Sequence, residues 1–268
     1  MVRAVAPVAA LSRQPSQIRG LYAMMRCLFA LAFIACHAAS PRAIDPLVVD
    51  TDRGPVRGVQ TALGREFLGI PFAAPPIGEL RWRPPVQAVA WTEPRDATKR
   101  GHACLQLERG GLRKDSDEDC LNLEVWVPPG ADHAPVMVWI PGGAFIEGGG
   151  NFPLYDGAKL AAREHVIVVA FNYRVGPLGF FALAQPGEPH MPSLGLLDQR
   201  AALQWVQRNI ARFGGDPSNV TIFGESAGAW SVCAQMAMPN SRGLFARAIM
   251  QSGSCSDPLY FTAEAAEA

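Results

Sequence analysis

The stretch VTIFGESAGAW, residues 220–230, sets a short β-branched run directly before Gly224-Glu225-Ser226-Ala227-Gly228. The pentapeptide G-x-S-x-G carries little by itself, so its flanks decide. Val220–Phe223 reads as a strand, and AGAWSVCAQMAM, residues 227–238, reads as a helix. A serine at a sharp strand-to-helix turn presents its Oγ at the end of a sheet. Glycines flank it because side chains there would collide inside the tight turn. The plain alternative is a serine N-cap, but a cap requires neither glycine. Ser226 is therefore a candidate nucleophile, and the local order strand–turn–helix predicts an α/β layer.

Working outward, three more apolar runs have the same texture: VMVWI (136–140), VIVVAFNY (166–173) and RAIMQ (247–251). Runs apolar on both faces suit strands of a covered parallel sheet. Between them, LGLLDQRAALQWVQRNIARFG (194–214) repeats Leu196, Leu197, Ala201, Leu203, Trp205, Val206 and Ile210 at helical spacing. Gly214-Gly215 should stop that helix, and Asp216-Pro217 should turn the chain. Further upstream, PLVVDTDRGPVRGVQT and REFLGIPFAAPP read as short antiparallel strands broken by Gly and Pro. Residues 75–118, rich in Pro, Arg and Asp, read as long surface loops. The fold class is α/β, with a central, mostly parallel sheet and helices on both faces.

A nucleophilic serine needs backbone N–H groups aimed at the oxygen on which charge develops. One such donor follows the serine itself, at Ala227. The others should come from a glycine-rich loop after an earlier strand. VMVWIPGGAFIEGGG supplies Gly142, Gly143 and Ala144 in that place. A glycine-rich loop after a strand also suits phosphate, yet neither G-x-G-x-x-G nor Gly-Lys-Ser/Thr occurs. No cofactor or metal is implied.

The bulk properties set the frame. With 268 residues, 49% hydrophobic and 18% charged, the chain has material for a sizeable core. Net charge is zero, but residues 1–44 hold five Arg and no acid, leaving 19 basic and 24 acidic residues beyond them. That balance gives no basic stripe for nucleic acid. Arg26 precedes the apolar run CLFALAFIAC, Cys27 to Cys36, and small residues follow. This is the pattern of a secretory signal, too short to span a bilayer. Residues 1–40 are thus expected to be an upstream extension and leader, with Met24 or Met25 as the initiator and cleavage near Ala38 or Ala39. The rest, 41–268, forms the folded domain. The expected location is secreted or periplasmic; lipidation of Cys36 and a buried N-terminal helix are the alternatives. Of the six cysteines, Cys104 and Cys120 lie close enough in sequence to pair in an oxidising compartment. Cys233, in an apolar helical stretch, is expected to be a buried thiol.

These features together resemble the type-B carboxylesterases, the α/β-hydrolase branch of the cholinesterases and bacterial para-nitrobenzyl esterases. FGGDPSNVTIFGESAG (213–228) is similar to their active-serine signature throughout. FLGIPFAAPPIGELRWRPP, SDEDCLNLEVWVP, PVMVWIPGGAF and FNYRVGPLGFF resemble their other landmarks, in order. The resemblance covers residues 47 to about 262. It implies that Ser226 is the nucleophile and that Gly143, Ala144 and Ala227 donate to the oxyanion, with Gly142 shaping the loop. It implies a Cys104–Cys120 disulfide and two structural ion pairs, Arg81 with Glu118 and Arg174 with Asp198. Cys255 matches half of a second disulfide whose partner would lie beyond residue 268. Glu225 is placed beside the site, where an electrostatic role competes with that of a buried, hydrogen-bonded carboxylate. Pro141 replaces the usual His or aromatic before the glycines, which should alter loop geometry and leave the donors in place. Asn122 and Glu124 also depart from the pattern and put local packing in question. Asn219-Val220-Thr221 fits a glycosylation sequon but enters a buried strand.

The resemblance implies an ester hydrolase acting on a small-molecule ester, with no stable membrane span. It also implies an acid and then a histidine after the serine. All five histidines, His37, His102, His133, His165 and His190, precede Ser226, and only Asp257, Glu264 and Glu267 follow it as acids. The sequence is accordingly expected to be the N-terminal part of such a domain, truncated on its C-terminal side and inactive by itself. Two other outcomes stand beside this one: a non-catalytic adhesion or recognition module of the same fold, and a gene remnant. His190, in a Pro-rich loop, is the upstream histidine that a compensating base would use.

Overall fold

The computed structural model describes residues 45–108, 111–181 and 193–256. The leader, the boundary near residue 40, Cys27, Cys36, His37 and His190 lie outside these residues.

A seven-stranded sheet organises the chain. Its strands are β1 (Val59–Thr61), β2 (Gly64–Pro71), β3 (Asn122–Val127), β4 (Ala134–Ile140), β5 (Ile167–Phe171), β6 (Gly215–Glu225) and β7 (Arg247–Gln251). Their spatial order is β7-β6-β4-β5-β3-β2-β1. The four strands from β7 to β5 are parallel, and β3, β2 and β1 continue antiparallel. All four apolar runs read from the sequence thus lie side by side. The early segment behaves as expected too: Val48–Asp50 pairs antiparallel with Pro55–Arg57 in a small separate sheet. Residues 75–118 are more ordered than a loop reading allows. They hold several two-residue strands, and a disulfide joins Cys104 to Cys120.

The helices are α1 (Ala158–Glu164), α2 (Gly176–Phe180), α3 (Leu194–Asn209) and α4 (Ala227–Ala237). On one face, Val136, Val138, Ile140, Val220 and Ile222 pack with Leu203, Val206, Ile210 and Val232 from the α3 and α4 side, all fully buried. Helix α3 runs into a 3-10 turn, Ile210–Phe213, and ends at Gly214 with φ +96°, a conformation that glycine adopts without strain. On the other face, α1 packs through Ala158 and Ala161 against Trp126, Val168 and Ala170.

Helices therefore cover both faces, but unevenly. Among the described residues, strand β7 is exposed at all five positions. Among the described residues, β6 and α4 are what packs beside β7, and as the edge strand it keeps one row of backbone groups unpaired.

The cysteines require a second correction. Cys233 is bonded to Cys255, with Cα atoms 5.5 Å apart, and is neither a buried thiol nor separated from its partner by the chain's end. The segment after β7 folds back over α4: a methyl group placed on Gly253 would lie 3.0 Å from the Ala229 Cβ. That return brings together two cysteines 22 residues apart.

The positions that depart from the family pattern are accommodated. Asn122 donates to the carbonyls of His102 and Cys120. Glu124 is fully buried and ion-paired with Arg100 at 2.5 Å. Burial pushes its carboxyl up to about 8, with Arg100 pulling the other way.

Candidate active site

Ser226 sits at the carboxyl end of β6, between that strand and the first residue of α4. Its backbone is at φ 54°, ψ −123°, far from the regions that a side chain prefers. The turn is held from both sides. The Ser226 N–H donates to the Gln251 carbonyl of β7 at 2.9 Å, and the Ser226 carbonyl accepts from Ala229 and Trp230 in the first turn of α4. The flanking glycines are sterically obligatory. A Cβ on Gly228 would lie 2.1 Å from the Ile140 carbonyl oxygen, and one on Gly224 would meet the Gly228 backbone at 2.6 Å. Both obstacles are backbone and cannot swing aside.

The glycine-rich loop leaves β4 immediately beside this turn. A methyl group added to Gly142 would lie 3.3 Å from Ser226 Cβ and 2.5 Å from the Glu225 carbonyl. Gly143 has φ +115°, and Ala144 and Phe145 follow at φ +51° and +62°, two successive left-handed non-glycine residues. The Gly143 carbonyl is turned inward and accepts from Ile146 and Glu147, both at 3.0 Å. Phe145 is held by its ring against Phe180, 4.6 Å between centroids, and by its carbonyl, which accepts from Gly176. Among the described residues, the N–H groups of Gly143 and Ala144 donate to no other backbone group. Ala227 is the first residue of α4, and a first-turn N–H has no partner within its own helix. At Pro141, Tyr173 donates its hydroxyl to the carbonyl at 2.6 Å, which anchors the start of the loop.

Other residues named from the sequence fall at varying distances. Glu225 is exposed among the described residues. Its Oε2 would lie 3.3 Å from a methyl group on Gly142. The Arg174–Asp198 pair is a buried fork of two 2.7 Å bonds, with a third bond from the Arg174 N–H to the same carboxylate. Burial raises the Asp198 carboxyl, while the guanidinium lowers it. Arg81 and Glu118 form a second, more exposed fork. Both pairs brace loops. Among the described histidines, His133 precedes β4 and His165 ends α1, both at the opposite end of the parallel strands from Ser226. His102 lies beside β3, three strands from β6, or about 14 Å by strand spacing.

Some neighbours carried no sequence signal. Tyr155 is half-buried against Trp139, and its hydroxyl is raised by burial and by the charges of Glu225 and Glu147. Gln106, buried, hydrogen-bonds the far limb of the glycine-rich loop at Gly148. Neither belongs to a recognisable spacing, so only tertiary proximity reveals them.

The sheet is mixed, parallel over β7, β6, β4 and β5, where the sequence reading expected it mostly parallel throughout. Delivering a serine into a strained strand-to-helix turn beside a glycine loop, it has the α/β-hydrolase fold. This chain belongs to the carboxylesterase family, whose pattern matches residues 45–268. It is 49% identical over 213 residues to the para-nitrobenzyl esterase of Bacillus subtilis (strain 168), covering 77% of this chain and 43% of that protein. It is 47% identical to the cholinesterase of Mus musculus, covering 80% of this chain and 38% of the relative. A solved PNB esterase structure superposes with TM-score 0.74 at 48% identity, covering 78% of this chain and 44% of the other. A Geobacillus stearothermophilus carboxylesterase gives TM-score 0.73 at 46% identity, covering 78% and 44%. The chain thus spans less than half the length of the relatives it matches.

Proposed function

We propose that this chain carries the nucleophile and the oxyanion donors of a serine carboxylic-ester hydrolase acting on small-molecule esters. Ser226 Oγ attacks the ester carbonyl carbon, and the carbonyl oxygen becomes an oxyanion held by the N–H groups of Gly143, Ala144 and Ala227. Collapse expels the alcohol and leaves an acyl-serine, which water hydrolyses to release the acid. The observation that carries this reading is the approach of Gly142 to the strained Ser226 turn, 3.3 Å from an added methyl group to Ser226 Cβ. It sets the loop N–H groups beside the nucleophile. Glu225, exposed next to the serine, adds negative potential at the site. The chain covers less than half of its relatives' length. We place the general base, which takes the Ser226 hydroxyl proton and returns it to the departing alcohol, with its acid partner in the part of the family's domain that this chain does not cover. We further propose an exported protein. The arginine-flanked apolar run before residue 40 and two disulfides support that location.

The test is a pair of proteins assayed with p-nitrophenyl acetate. The 268-residue chain alone is expected to show no turnover at esterase rates. Residues 45–256 fused to the C-terminal part of the Bacillus subtilis relative should hydrolyse the ester, and Ser226→Ala should abolish that activity. Robust Ser226-dependent turnover by the short chain would overturn the assignment of the base, and a folded fusion that is inactive would overturn the assignment of Ser226.

A further inference from the structure

From the hydrogen bonds around the glycine-rich loop, we infer that Gln106 is a positioning residue for the oxyanion donors, coupling their loop to the Cys104–Cys120 disulfide. The inference rests on the reading of Gly143 and Ala144 as donors.

Gln106 is 6% exposed, and its side-chain amide is spent entirely on backbone. Its Oε1 accepts from the Gly148 N–H at 2.8 Å, and its Nε2 donates to the Gly148 carbonyl at 3.0 Å. The amide therefore docks on Gly148 as a neighbouring strand would. The same Nε2 donates to the Cys104 carbonyl at 2.9 Å. Cys104 is bonded to Cys120, and the Cys120 carbonyl accepts from the backbone and side chain of Asn122 at the start of β3. One side chain thus ties the loop that leaves β4 to a covalent staple and to a strand two positions away in the sheet.

Gly148 is the point where that tie reaches the donors. It has φ +108°, and a Cβ there would lie 2.2 Å from the Gly142 carbonyl oxygen. Gly142 and Gly148 are therefore in backbone contact across the base of the loop. Between them stand the residues with left-handed backbones, Gly143, Ala144 and Phe145. A conformation this strained persists only where its surroundings over-determine it. Beyond Gly148, the loop is pinned separately, because Asn151 donates to the Gly101 carbonyl and receives support from Asn172. Without Gln106, the span from Gly142 to Gly148 keeps the Tyr173 bond to Pro141, the Gly143 carbonyl bonds and the Phe145 contacts. It loses the only amide clamp among the described residues that opposes relaxation at Gly148.

The experiment is hydrogen–deuterium exchange on the 268-residue protein, read separately for residues 142–150 and for β4, β5 and β6. No ester turnover is involved, so its outcome is independent of whether Ser226 acts as nucleophile. Gln106→Ala removes three bonds to backbone and should accelerate exchange in residues 142–150 by at least about tenfold, leaving the three strands unchanged. Gln106→Glu keeps an acceptor for the Gly148 N–H but turns a carboxylate oxygen toward the Cys104 and Gly148 carbonyls, so it should accelerate exchange in the same residues at least as much. A Cys104→Ser/Cys120→Ser variant should accelerate the same residues, and adding Gln106→Ala to it should add little, because both changes cut one tie. Unchanged exchange in residues 142–150 with Gln106→Ala would overturn the inference. So would equal acceleration in the loop and the strands, which would make Gln106 a general structural residue. If the double cysteine variant fails to fold, the contrast between residues 142–150 and the three strands in Gln106→Ala decides alone.

Discussion

Replacing Ser226 with glycine should give a more stable protein than replacing it with alanine. Both changes remove the hydroxyl, so the difference isolates the backbone. At φ 54°, ψ −123°, any residue with a Cβ stores strain of about 1–3 kcal/mol, whereas glycine adopts such angles freely. Glycine also makes the unfolded chain more flexible, which offsets about 0.4–1 kcal/mol of that relief. The turn does not relax otherwise, because the bonds from Ser226 to Gln251, Ala229 and Trp230 hold it in place. The net gain is about 0.5–2 kcal/mol, or a rise in melting temperature of roughly 2–6 °C for a domain of this size. Paired urea titrations and thermal melts of Ser226→Gly and Ser226→Ala measure it. A Ser226→Gly protein that melts at or below the Ser226→Ala protein would refute strain at the nucleophile, and with it the account of why a serine is held there at a cost to stability.

Three further outcomes are expected. Asp198→Asn leaves Arg174 buried without its charge partner and should cost about 3–5 kcal/mol, whereas Glu118→Gln at the more exposed fork should cost at most about 1 kcal/mol; equal losses in urea titrations would contradict the burial argument. Glu124 has a folded-state carboxyl raised from 4.5 to about 8, so its favourable contribution is complete below the unfolded value and is lost as pH rises through the folded one. Glu124→Gln should therefore gain stability relative to the unmodified protein between pH 5 and pH 8, and a constant gap in urea midpoints across that range would count against it. Reducing the Cys104–Cys120 bond, which closes a 16-residue separation, should lower stability by about 3 kcal/mol, read as a shift in the urea midpoint between the Cys104→Ser/Cys120→Ser protein and the unmodified one.

Much of the site was legible in the amino-acid sequence because its constraints are local. The run Val220–Phe223, the glycines at 224 and 228 and the helix-forming segment that follows describe one strand–turn–helix unit, whose geometry depends on residues within about ten positions. The same holds for the glycine loop, since Gly142, Gly143 and Ala144 directly follow a strand. The apolar runs gave four of the seven strands and showed that they were suited to a covered sheet, whereas the fully buried strand Asn122–Val127 was not read as one. What required the tertiary structure were the relations between distant segments. Cys233 meets Cys255 because the chain after β7 folds over α4, which no spacing encodes. Gln106 and Tyr155 reach the site through contacts 42 residues from Gly148 and across a tryptophan ring, respectively. Local sterics act along the chain and can be read from it, whereas packing, exposure and hydrogen-bond partnership exist only once the sheet has brought remote residues together.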